Sequence, residues 1–199
     1  MSVIGITGGI STGKTAFVNY LRALIPEARF FDADSMAREL TRSDEKVLGE
    51  IRARFGSAVF KKNGELNRGA LRAIIFNAPE ERRDLEQILH PRIRQHWSGE
   101  AEKYRNSTEL FFADIPLLYE TGGDALCDRV TVVACSEDIQ TKRLMKRMGM
   151  TEAESQAVIR AQMPLSEKIK RADHVVWNNG PRNELAEQAH LLVSLWTKQ

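Results

Sequence analysis

One short stretch near the start constrains the fold of this chain more than any other. Residues Gly8–Thr15 have the sequence Gly-Gly-Ile-Ser-Thr-Gly-Lys-Thr, which fits Gly-x4-Gly-Lys-[Ser/Thr], and they follow the apolar run Val3–Thr7. Glycines let the backbone turn tightly so that successive N–H groups face phosphate oxygens. Lys14 adds positive charge for the outer phosphates, and the Thr15 hydroxyl is a ligand for Mg²⁺. The stretch therefore predicts a phosphate-binding loop.

The residues on either side give this loop its expected context. The segment Ala16–Ile25 can form a helix whose positive N-terminal end faces the same phosphates. The alternative is a glycine-rich turn that binds no ligand. Because strand, loop and helix follow in the required order, the sequence favours nucleotide binding over that alternative.

The bulk composition limits the classes of function. A chain of 199 residues is expected to form one domain, with room for an inserted subdomain, and its net charge of +2 lacks the basic excess of a nucleic-acid binder. No stretch approaches the roughly 20 apolar residues of a membrane span, and glycines interrupt the N-terminal apolar run, so no signal peptide is expected. We expect a cytoplasmic protein that binds neither nucleic acid nor membranes.

The two cysteines point to no special chemistry. Cys127 and Cys135 have no CxxC spacing and no neighbouring histidine cluster. We therefore expect two buried thiols, and neither a zinc site nor a disulfide framework.

A pair of aspartates follows the next short apolar run. Residues 29–31 lead into Asp32-Ala33-Asp34, and in an extended chain the two carboxylates point to the same side. At the carboxyl end of a second parallel strand, such a carboxylate can accept a proton from an attacking hydroxyl. The alternative for either aspartate is that it caps a helix beginning near Ser35.

The next segment has a helical pattern. Apolar residues recur at helical spacing from Val47 to Phe55, and Gly56 follows as a stop signal. Pro79 is expected to open a longer helix. The dipeptide His90-Pro91 is expected to break or kink that helix.

We interpret residues 44–106 as a helical insertion between the two parts of a nucleotide-binding core, residues 1–43 and 107–199. In a P-loop kinase such an insertion holds the second substrate. Several of its arginines can meet an anionic substrate: Arg68, Arg72, Arg82, Arg83, Arg92 and Arg94. Most of these arginines are nevertheless expected at solvated surface positions, and His90 suits a core position as well as a substrate contact.

Two further apolar runs predict core strands. Leu110–Asp114 ends in an acid, which is typical of a buried parallel strand whose carboxylate reaches the Mg²⁺ shell, although Asp114 can also hydrogen-bond the strand end alone. Arg129–Cys135 is the clearest core strand. Ser136 suits the start of the following helix and Gly149 suits its end.

The helix after Ser136 carries a polar face with Gln140, Arg143 and Arg147. A guanidinium from a mobile segment can neutralise the charge that develops on a transferred phosphoryl group, so both arginines are candidates, with surface salt bridges as the alternative. Two short helices hinged at Pro164 follow. We interpret residues 141–171 as a lid that keeps water away from ATP.

A short strand and a helix are expected to complete the core. The strand is His174–Trp177. The helix is expected to pack on the sheet through Leu185, Ala189, Leu192 and Leu195.

Taken together and in order, these motifs resemble the dephospho-CoA kinase family. The residues that carry the resemblance extend over nearly the whole chain: Thr7 to Thr15, Asp32-Ala33-Asp34, Ala37-Arg38, Leu66-Asn67-Arg68, Leu85-Glu86, His90-Pro91, Asp114 to Leu118, Glu120, Gln140, Arg143, Arg147, Arg160, Gln162, Ala172-Asp173, Val175, Asn178 and Gly180. The resemblance implies an α/β protein with a three-layer P-loop nucleotide-kinase fold, a parallel sheet, an inserted helical substrate domain and a helical lid. It implies ATP-dependent phosphorylation of the ribose 3′-hydroxyl of dephospho-CoA with Mg²⁺, the last step of coenzyme A biosynthesis.

The resemblance also implies roles for individual residues. Catalysis is expected from Asp34 as the base, from Lys14, and from Arg143 or Arg147. Contacts to ATP are expected from Gly9, Ile10, Ser11, Thr12, Gly13, Lys14, Thr15, Ala16 and Asn178. Contacts to dephospho-CoA are expected from Asp32, Asp34, Arg68, His90, Asp114 and Leu117. Mg²⁺ is expected at Thr15 and, through water, at Asp114.

The sequence departs from the family pattern at three positions and leaves two other functions open. Ser11 stands where the family usually has Gly, which bears on the shape of the loop; Asn67 stands where Asp is common, and Trp177 where Asp is frequent. One alternative is a kinase for a nucleoside monophosphate or another metabolite. The other is a nucleotide-dependent switch, although the guanine-recognition motif Asn-Lys-x-Asp is absent from the sequence. We expect a monomer, with weak oligomerisation as the alternative.

Overall fold

The computed structural model describes residues 2–198 and, of residues 76 and 77, the backbone alone. The sheet has the strand order β2-β3-β1-β4-β5. Strand β1 pairs in parallel with β3 and β4, and β4 pairs in parallel with β5. The strands are β1 Val3–Gly8, β2 Arg29–Asp32, β3 Phe111–Asp114, β4 Arg129–Ala134 and β5 His174–Trp177.

Helices alternate with these strands along the chain. They are α1 Lys14–Leu24, α2 Ala33–Ser43, α3 Glu45–Phe55, α4 Arg68–Asn77, α5 Pro79–Tyr104, α6 Glu137–Met148, α7 Glu152–Arg160, α8 Leu165–Arg171 and α9 Arg182–Thr197. Short 3-10 helices occupy Ser57–Val59 and Gly123–Leu126. Within residues 2–198, no helix combines the length and the apolar character that a membrane crossing needs.

Both faces of the sheet are covered. Ile4 and Ile6 of β1 are fully buried in a cluster with Phe17 and Leu21 of α1 and Leu185 of α9. Strand residues that alternate with this set are buried as well and face the other way: Val3, Phe111 and Val132. Burial on two faces explains why these strands are continuous apolar runs, and each large side chain contributes about 1.5–3 kcal/mol. The α/β sheet with helical layers is the fold class that we predicted.

The chain forms two compact units. The first comprises the chain up to Phe31 and from Gly99 onward, and the second is Asp32–Ser98. We predicted the insertion at residues 44–106, whereas the second unit begins and ends earlier in the chain. The assignment of acceptor binding to the insertion, and of residues 141–171 to a lid, stays a prediction.

The helical unit has an apolar core of its own. Val47 and Ile51 of α3 are fully buried, and Leu71 of α4 and Leu89 of α5 pack in the same cluster. The helix that we predicted between Val47 and Gly56 is confirmed, because α3 ends at Phe55 and Gly56 follows with φ 78°. Polar residues immediately before the helices cap them: the Asp44 carboxylate accepts from the N–H groups of Lys46 and Val47, and the Asn67 side chain accepts from Ala70 N–H.

One prediction about local structure is wrong and another is wrong in part. The chain is not extended through Asp34, because β2 ends at Asp32 and α2 begins at Ala33. The helix α5 is not broken at Pro91, which lies inside it, while the kink that we gave as the other outcome stays a prediction. Leu85 and Ile88 before this proline, and Ile93 after it, pack on the same apolar core, so tertiary packing outweighs the one hydrogen bond that proline removes.

The final helix differs from its prediction at one position. Leu185 and Ala189 are buried and Leu192 is partly buried against the sheet, as expected. Leu195 is 46% exposed, and Trp196 takes the buried place beside it. At about 100° per residue, Trp196 follows Leu192 by four positions and Ala189 by seven, so it shares their face of the helix, whereas Leu195 is turned away from it.

Candidate active site

The predicted phosphate loop connects β1 to α1. The Thr12 hydroxyl donates to Gly9 O at 2.9 Å, and Thr12 N donates to the same carbonyl at 3.3 Å, which closes the turn. Gly13 is the N-cap of α1, has φ 99°, and provides no side-chain cap for the first N–H groups of the helix. A phosphate is the natural acceptor for such uncapped N–H groups, because the helix dipole adds to their positive potential.

Two glycines of the loop are required by close packing. A Cβ on Gly8 would collide with the main-chain Val133 O of β4, and a Cβ on Gly13 would collide with the Asn178 side-chain nitrogen. At Gly13 the positive φ disfavours any other residue as well. The Gly-x4-Gly spacing is therefore a steric property of this loop and its neighbours, besides being a signature of nucleotide binding.

Three side chains from distant parts of the chain hold the outer carbonyls of the loop. Gln140 Nε2 donates to Ile10 O at 2.7 Å, and Asn178 Nδ2 donates to Thr12 O at 2.7 Å. Arg143 donates to Ser11 O at 3.3 Å, to Thr12 O at 3.1 Å and to Asn178 O at 2.9 Å. With its carbonyls fixed from outside, the loop is preorganised for a phosphate.

The lysine and the acid of the two nucleotide motifs meet directly. Lys14 Nζ forms an ion pair with Asp114 Oδ1, and the register that places Ile6 opposite Asp114 brings the end of β3 to the loop. Asp114 is only 7% exposed. Thr15 lies beside Lys14 in the first turn of α1 and is exposed. These residues supply a cation, a carboxylate and a hydroxyl at the phosphate loop.

The two arginines of α6 differ in their surroundings. Arg143 is half-buried and committed to three carbonyls, whereas Arg147 is exposed and has no hydrogen bond or ion pair with any residue the structure describes. Gln140, which we placed on the same polar face, is 2% exposed because it packs against the loop. Arg143 therefore holds the loop, and Arg147 has the freer guanidinium.

A cavity of about 520 Å³ lies against the loop in the first unit. Basic side chains from α6 and α9 supply much of its lining, and Ser11, Gly13 and Ala16 form the side nearest the loop. The full lining is Ser11, Gly13, Ala16, Arg143, Lys146, Arg147, Asn178, Gly180, Arg182 and Leu185. Its size suits a small-molecule ligand, and its positive charge favours an anionic one.

Four more of the predicted residues lie in the helical unit. Asp32 caps α2 by accepting from Ser35 N at 3.0 Å, which is the alternative role that the sequence left open. Asp34 is exposed in the first turn of that helix. Arg68 donates to Arg38 O at 2.5 Å, and His90 is half-buried in α5.

A smaller cleft, of about 190 Å³, belongs to the helical unit. Apolar side chains form its floor, and the arginines are on its rim; it is lined by Ala37, Arg38, Thr41, Leu66, Arg68, Leu71, Arg72, Ile75 and Leu89. Arg68 and Arg72 were predicted to meet an anionic substrate, whereas Arg38 was not singled out for that role. His90 does not line the cleft, although its neighbour Leu89 does.

Sequence reasoning missed several residues around the loop. Lys146 and Arg182 line the larger cavity, and Gln162 Oε1 accepts from the Ile10 N–H at 2.8 Å. No sequence signal distinguishes Lys146 from the other basic residues of α6. Leu117, which we predicted to contact the acceptor, is half-buried and uses its carbonyl to accept from Thr121.

The prediction of two buried thiols is confirmed for one cysteine. Cys135 is buried, whereas Cys127 is only partly buried. Burial, followed by the nearby carboxylates Asp124 and Asp128, raises the pKa of the Cys127 thiol to about 12. Burial also raises the pKa of Cys135, although the Arg143 guanidinium acts against it. Both thiols are therefore protonated near neutral pH and are not nucleophiles.

Comparisons with known proteins agree on one family. A family model for dephospho-CoA kinase matches residues 2–184. A curated dephospho-CoA kinase from Geobacillus kaustophilus is 44% identical over 195 residues, covering 97% of this chain and 96% of that protein. A curated dephospho-CoA kinase from Anaeromyxobacter dehalogenans is also 44% identical over 195 residues, covering 98% and 92%.

Solved structures support the fold. A crystal structure from Thermus thermophilus has a TM-score of 0.77 and 34% identity, and the match covers 98% of this chain and 96% of that one. The structure of dephospho-CoA kinase from Campylobacter jejuni has a TM-score of 0.73, 24% identity and the same coverage. Because its identity is low, this second likeness bears on the fold alone.

Proposed function

The chain belongs to the dephospho-CoA kinase family, and on that basis we propose that it transfers the γ-phosphoryl group of ATP to the ribose 3′-hydroxyl of dephospho-CoA. The products are CoA and ADP. The observation that carries the proposal is the match to the family over residues 2–184, together with a preorganised phosphate loop inside that range.

The first part of the mechanism is nucleotide binding. The N–H groups of the loop and of the first turn of α1 bind the phosphates of ATP, while Gln140, Arg143 and Asn178 keep the loop carbonyls turned outward. Lys14 exchanges its ion pair with Asp114 for the outer phosphates. Binding therefore takes the Lys14 ammonium away from the Asp114 carboxylate.

Mg²⁺ is the cation that this donor set fits. Within residues 2–198 no three His, Cys, Asp or Glu side chains are grouped as metal ligands, so a protein-only cage is not available there. Mg²⁺ needs none, because it keeps several waters and binds through one or two protein oxygens plus substrate phosphates. The Thr15 hydroxyl and, through water, the Asp114 carboxylate would hold it. When bound it supplies positive charge to the β- and γ-phosphate oxygens.

The acceptor side rests on Asp34. As an exposed carboxylate in the first turn of α2, it is suited to accept the proton of the 3′-hydroxyl as that oxygen attacks the γ-phosphorus. Asp32 is committed to capping the same helix, so its role is to fix the start of α2 and the position of Asp34 within it. Arg147 is the better candidate of the two arginines to neutralise charge on the transferred group, because its guanidinium has no other partner among residues 2–198.

The test is a coupled assay of ADP release with Mg-ATP and, separately, dephospho-CoA, AMP, CMP or no acceptor. We expect release with dephospho-CoA only, with CoA as the second product. Asp34→Asn is expected to lower kcat by roughly 10²–10⁴-fold. Glu39→Gln is the matched control, since Glu39 is an exposed carboxylate of the same helix, and it is expected to leave kcat unchanged.

The outcomes separate the alternatives. Preference for AMP or CMP would contradict the acceptor and leave the kinase activity standing. A slow hydrolysis of ATP that no acceptor changes would favour a nucleotide-dependent switch. Full activity of Asp34→Asn with dephospho-CoA would remove Asp34 from the role of base while the function stands.

A further inference from the structure

A fully buried lysine lies on α8, away from the residues that contact the nucleotide in the mechanism above. Lys168 is 0% exposed, and its Nζ donates to Pro116 O at 3.0 Å and pairs with Glu120 Oε1 at 2.8 Å. An ammonium group is costly to bury unless it is paired and hydrogen-bonded. An apolar side chain of similar length would fill the same space without that cost, so the charge itself calls for an explanation.

The first partner connects Lys168 to the end of β3. Pro116 follows Asp114 by two residues, and its carbonyl accepts from Lys168 and also from the Thr7 hydroxyl at 2.9 Å. Thr7 is fully buried in β1, immediately before the first glycine of the phosphate loop. Two donors on one carbonyl fix the path of the chain directly after the acid that pairs with Lys14.

The second partner connects Lys168 back to the loop. Glu120 Oε1 also accepts from Met163 N at 3.1 Å, and the preceding residue, Gln162, accepts from Ile10 N at 2.8 Å. The series of contacts therefore begins at Thr7 of β1 and ends at Ile10 of the loop. These two residues lie on either side of Gly8 and Gly9. We name this set the Lys168 circuit; its members are Thr7, Ile10, Pro116, Glu120, Gln162, Met163 and Lys168.

We propose that Lys168 is a positioning residue for phosphoryl transfer, which acts by holding the Gly8–Ile10 backbone and the Asp114–Pro116 segment in fixed relation. The proposal rests on the proposed function, since it assigns a role in that reaction. In the proposed mechanism, Lys168 contacts neither the nucleotide nor the acceptor. It is the one member of the circuit that contacts both halves, through Pro116 on one side and Glu120 on the other.

The physical argument concerns alignment. The loop amides bind the transferred phosphate and Asp114 reaches the metal side, so a relative shift of about 1 Å would cost roughly 10²-fold in rate. The outer contacts of Gln140, Arg143 and Asn178 also shape the loop for ATP, and none of these bonds is made to Lys168, Pro116 or Glu120. Loss of Lys168 should therefore lower kcat more than it changes the KM for ATP.

The experiment compares Lys168→Met, the double variant K168M/E120Q, and Lys170→Met. Lys168→Met leaves the Glu120 carboxylate, whose side chain is 21% exposed, without its cation and removes a donor from Pro116 O, so this variant is expected to lose stability as well as activity. The double variant removes that unpaired charge and keeps an oxygen to accept from Met163. Lys170 is the matched control, because it pairs with Glu167 at 2.8 Å on the same helix but is exposed.

The measurements are Tm, kcat and KM for ATP and for dephospho-CoA. A positioning role predicts that K168M/E120Q recovers most of the Tm lost by Lys168→Met while kcat stays roughly tenfold or more below wild type, with the KM for ATP within about threefold. Lys170→Met should match wild type in Tm and kcat. A purely structural role predicts that Tm and kcat recover together, and that result would overturn the proposal.

Two further measurements keep the proposal testable. Gln162→Ala, at a half-buried position, is expected to fold normally and to lower kcat without a change in Tm; wild-type kcat in this variant, together with wild-type kcat in the double variant, contradicts the circuit. Hydrogen exchange at the Ile10 amide should be about tenfold faster in K168M/E120Q, and equal rates contradict it. Exchange needs no turnover, so the circuit remains testable even if the wild-type protein fails to phosphorylate dephospho-CoA, a result that would refute the proposed function instead.

Discussion

The surroundings of the phosphate loop and the helical unit use their polar side chains differently. Around the loop, side chains donate hydrogen bonds to main-chain carbonyls of residues that are more than 100 positions away in the sequence. The donors are Gln140, Arg143 and Asn178. In the helical unit, charged side chains mostly pair with each other at the surface, as Arg54 does with Glu81 and Asp84. Arg68, which bonds to a main-chain carbonyl of α2, is an exception there.

This difference separates positions that tolerate substitution from positions that do not. A side chain that holds a distant main-chain carbonyl has no substitute when it is removed, and the buried carbonyl is left unsatisfied. Loss of an exposed ion pair costs little stability, because water stabilises the two separated charges about as well as they stabilise each other. We therefore expect substitutions near the loop to change both stability and ATP binding, and comparable substitutions in the helical unit to change little.

The largest expected effect is at Gly13. Gly13→Ala introduces a Cβ at φ 99° that also collides with the Asn178 side chain, so the loop must leave its binding shape. If recovering that shape costs about 3 kcal/mol, the affinity for ATP falls by about 100-fold, measured by calorimetry. Gly49→Ala is the control from the helical unit: its Cβ would meet nothing within 4 Å in α3, so it should leave ATP affinity unchanged and raise stability by about 0.5–1 kcal/mol. If the two substitutions changed ATP affinity equally, the contrast between the phosphate loop and the helical unit would be contradicted.

The second prediction separates the two arginines of α6. Arg143→Met removes the hydrogen bonds to Ser11, Thr12 and Asn178 carbonyls, so Tm and ATP affinity should fall together, the affinity by about tenfold. Arg147→Met, at an exposed position of the same helix, should keep both and lower kcat alone. A variant of Arg147 with weakened ATP binding and normal kcat would assign it to the nucleotide instead.

The same contrast explains how far the sequence could predict the molecule. The loop and the strand Arg129–Ala134 were predictable because their signals are local: a spacing of glycines, or an unbroken apolar run. The burial of Gln140 and Lys168 was not, because helical spacing places a residue on a face without saying what that face meets. Asp32 shows the intermediate case: local chemistry allowed both a cap and a functional role, the start of α2 at Ala33 shows the cap, and the contact with the acceptor stays a prediction.

A third prediction concerns Asp128, whose carboxylate accepts hydrogen bonds from main-chain N–H groups at the start of β1. Burial acts to raise the pKa of Asp128, but hydrogen bonds from Val3 N and Ser2 N outweigh it and hold the pKa below its ordinary value. The folded protein then binds this proton less readily than the unfolded chain does, so the stabilisation is present above about pH 4 and is lost as the pH falls through the lowered folded value. Asp128→Asn should cost about 1–2 kcal/mol in urea unfolding at pH 7, and the difference from wild type should shrink towards pH 3.5. A difference that stays constant over this range would mean that the charge is not responsible.

A smaller effect is expected in the helical unit. Arg54 pairs with Asp84 and Glu81, and the hydrogen bond to Asp84 is the main cause of its raised pKa, yet all three side chains are partly exposed. Arg54→Ala should shift Tm by about 2 °C or less at physiological salt and by nothing measurable in 1 M NaCl. A fall in Tm of more than about 5 °C that does not depend on salt would show that the contacts of Arg54 resemble those around the loop.

The smallest effect is expected at Ser11, although it lies within the loop itself. Ser11 has φ 59°, a left-handed conformation that costs a residue with a Cβ about 1 kcal/mol relative to glycine. Ser11→Gly removes this strain but makes the unfolded chain more flexible, which costs about 0.4–1 kcal/mol, so Tm should change by less than about 2 °C. The loop keeps its shape in both forms, because Arg143 bonds to the main-chain carbonyl at position 11 and needs no side chain there. A clear loss of ATP affinity in Ser11→Gly would contradict this and show that the serine hydroxyl itself contacts the nucleotide.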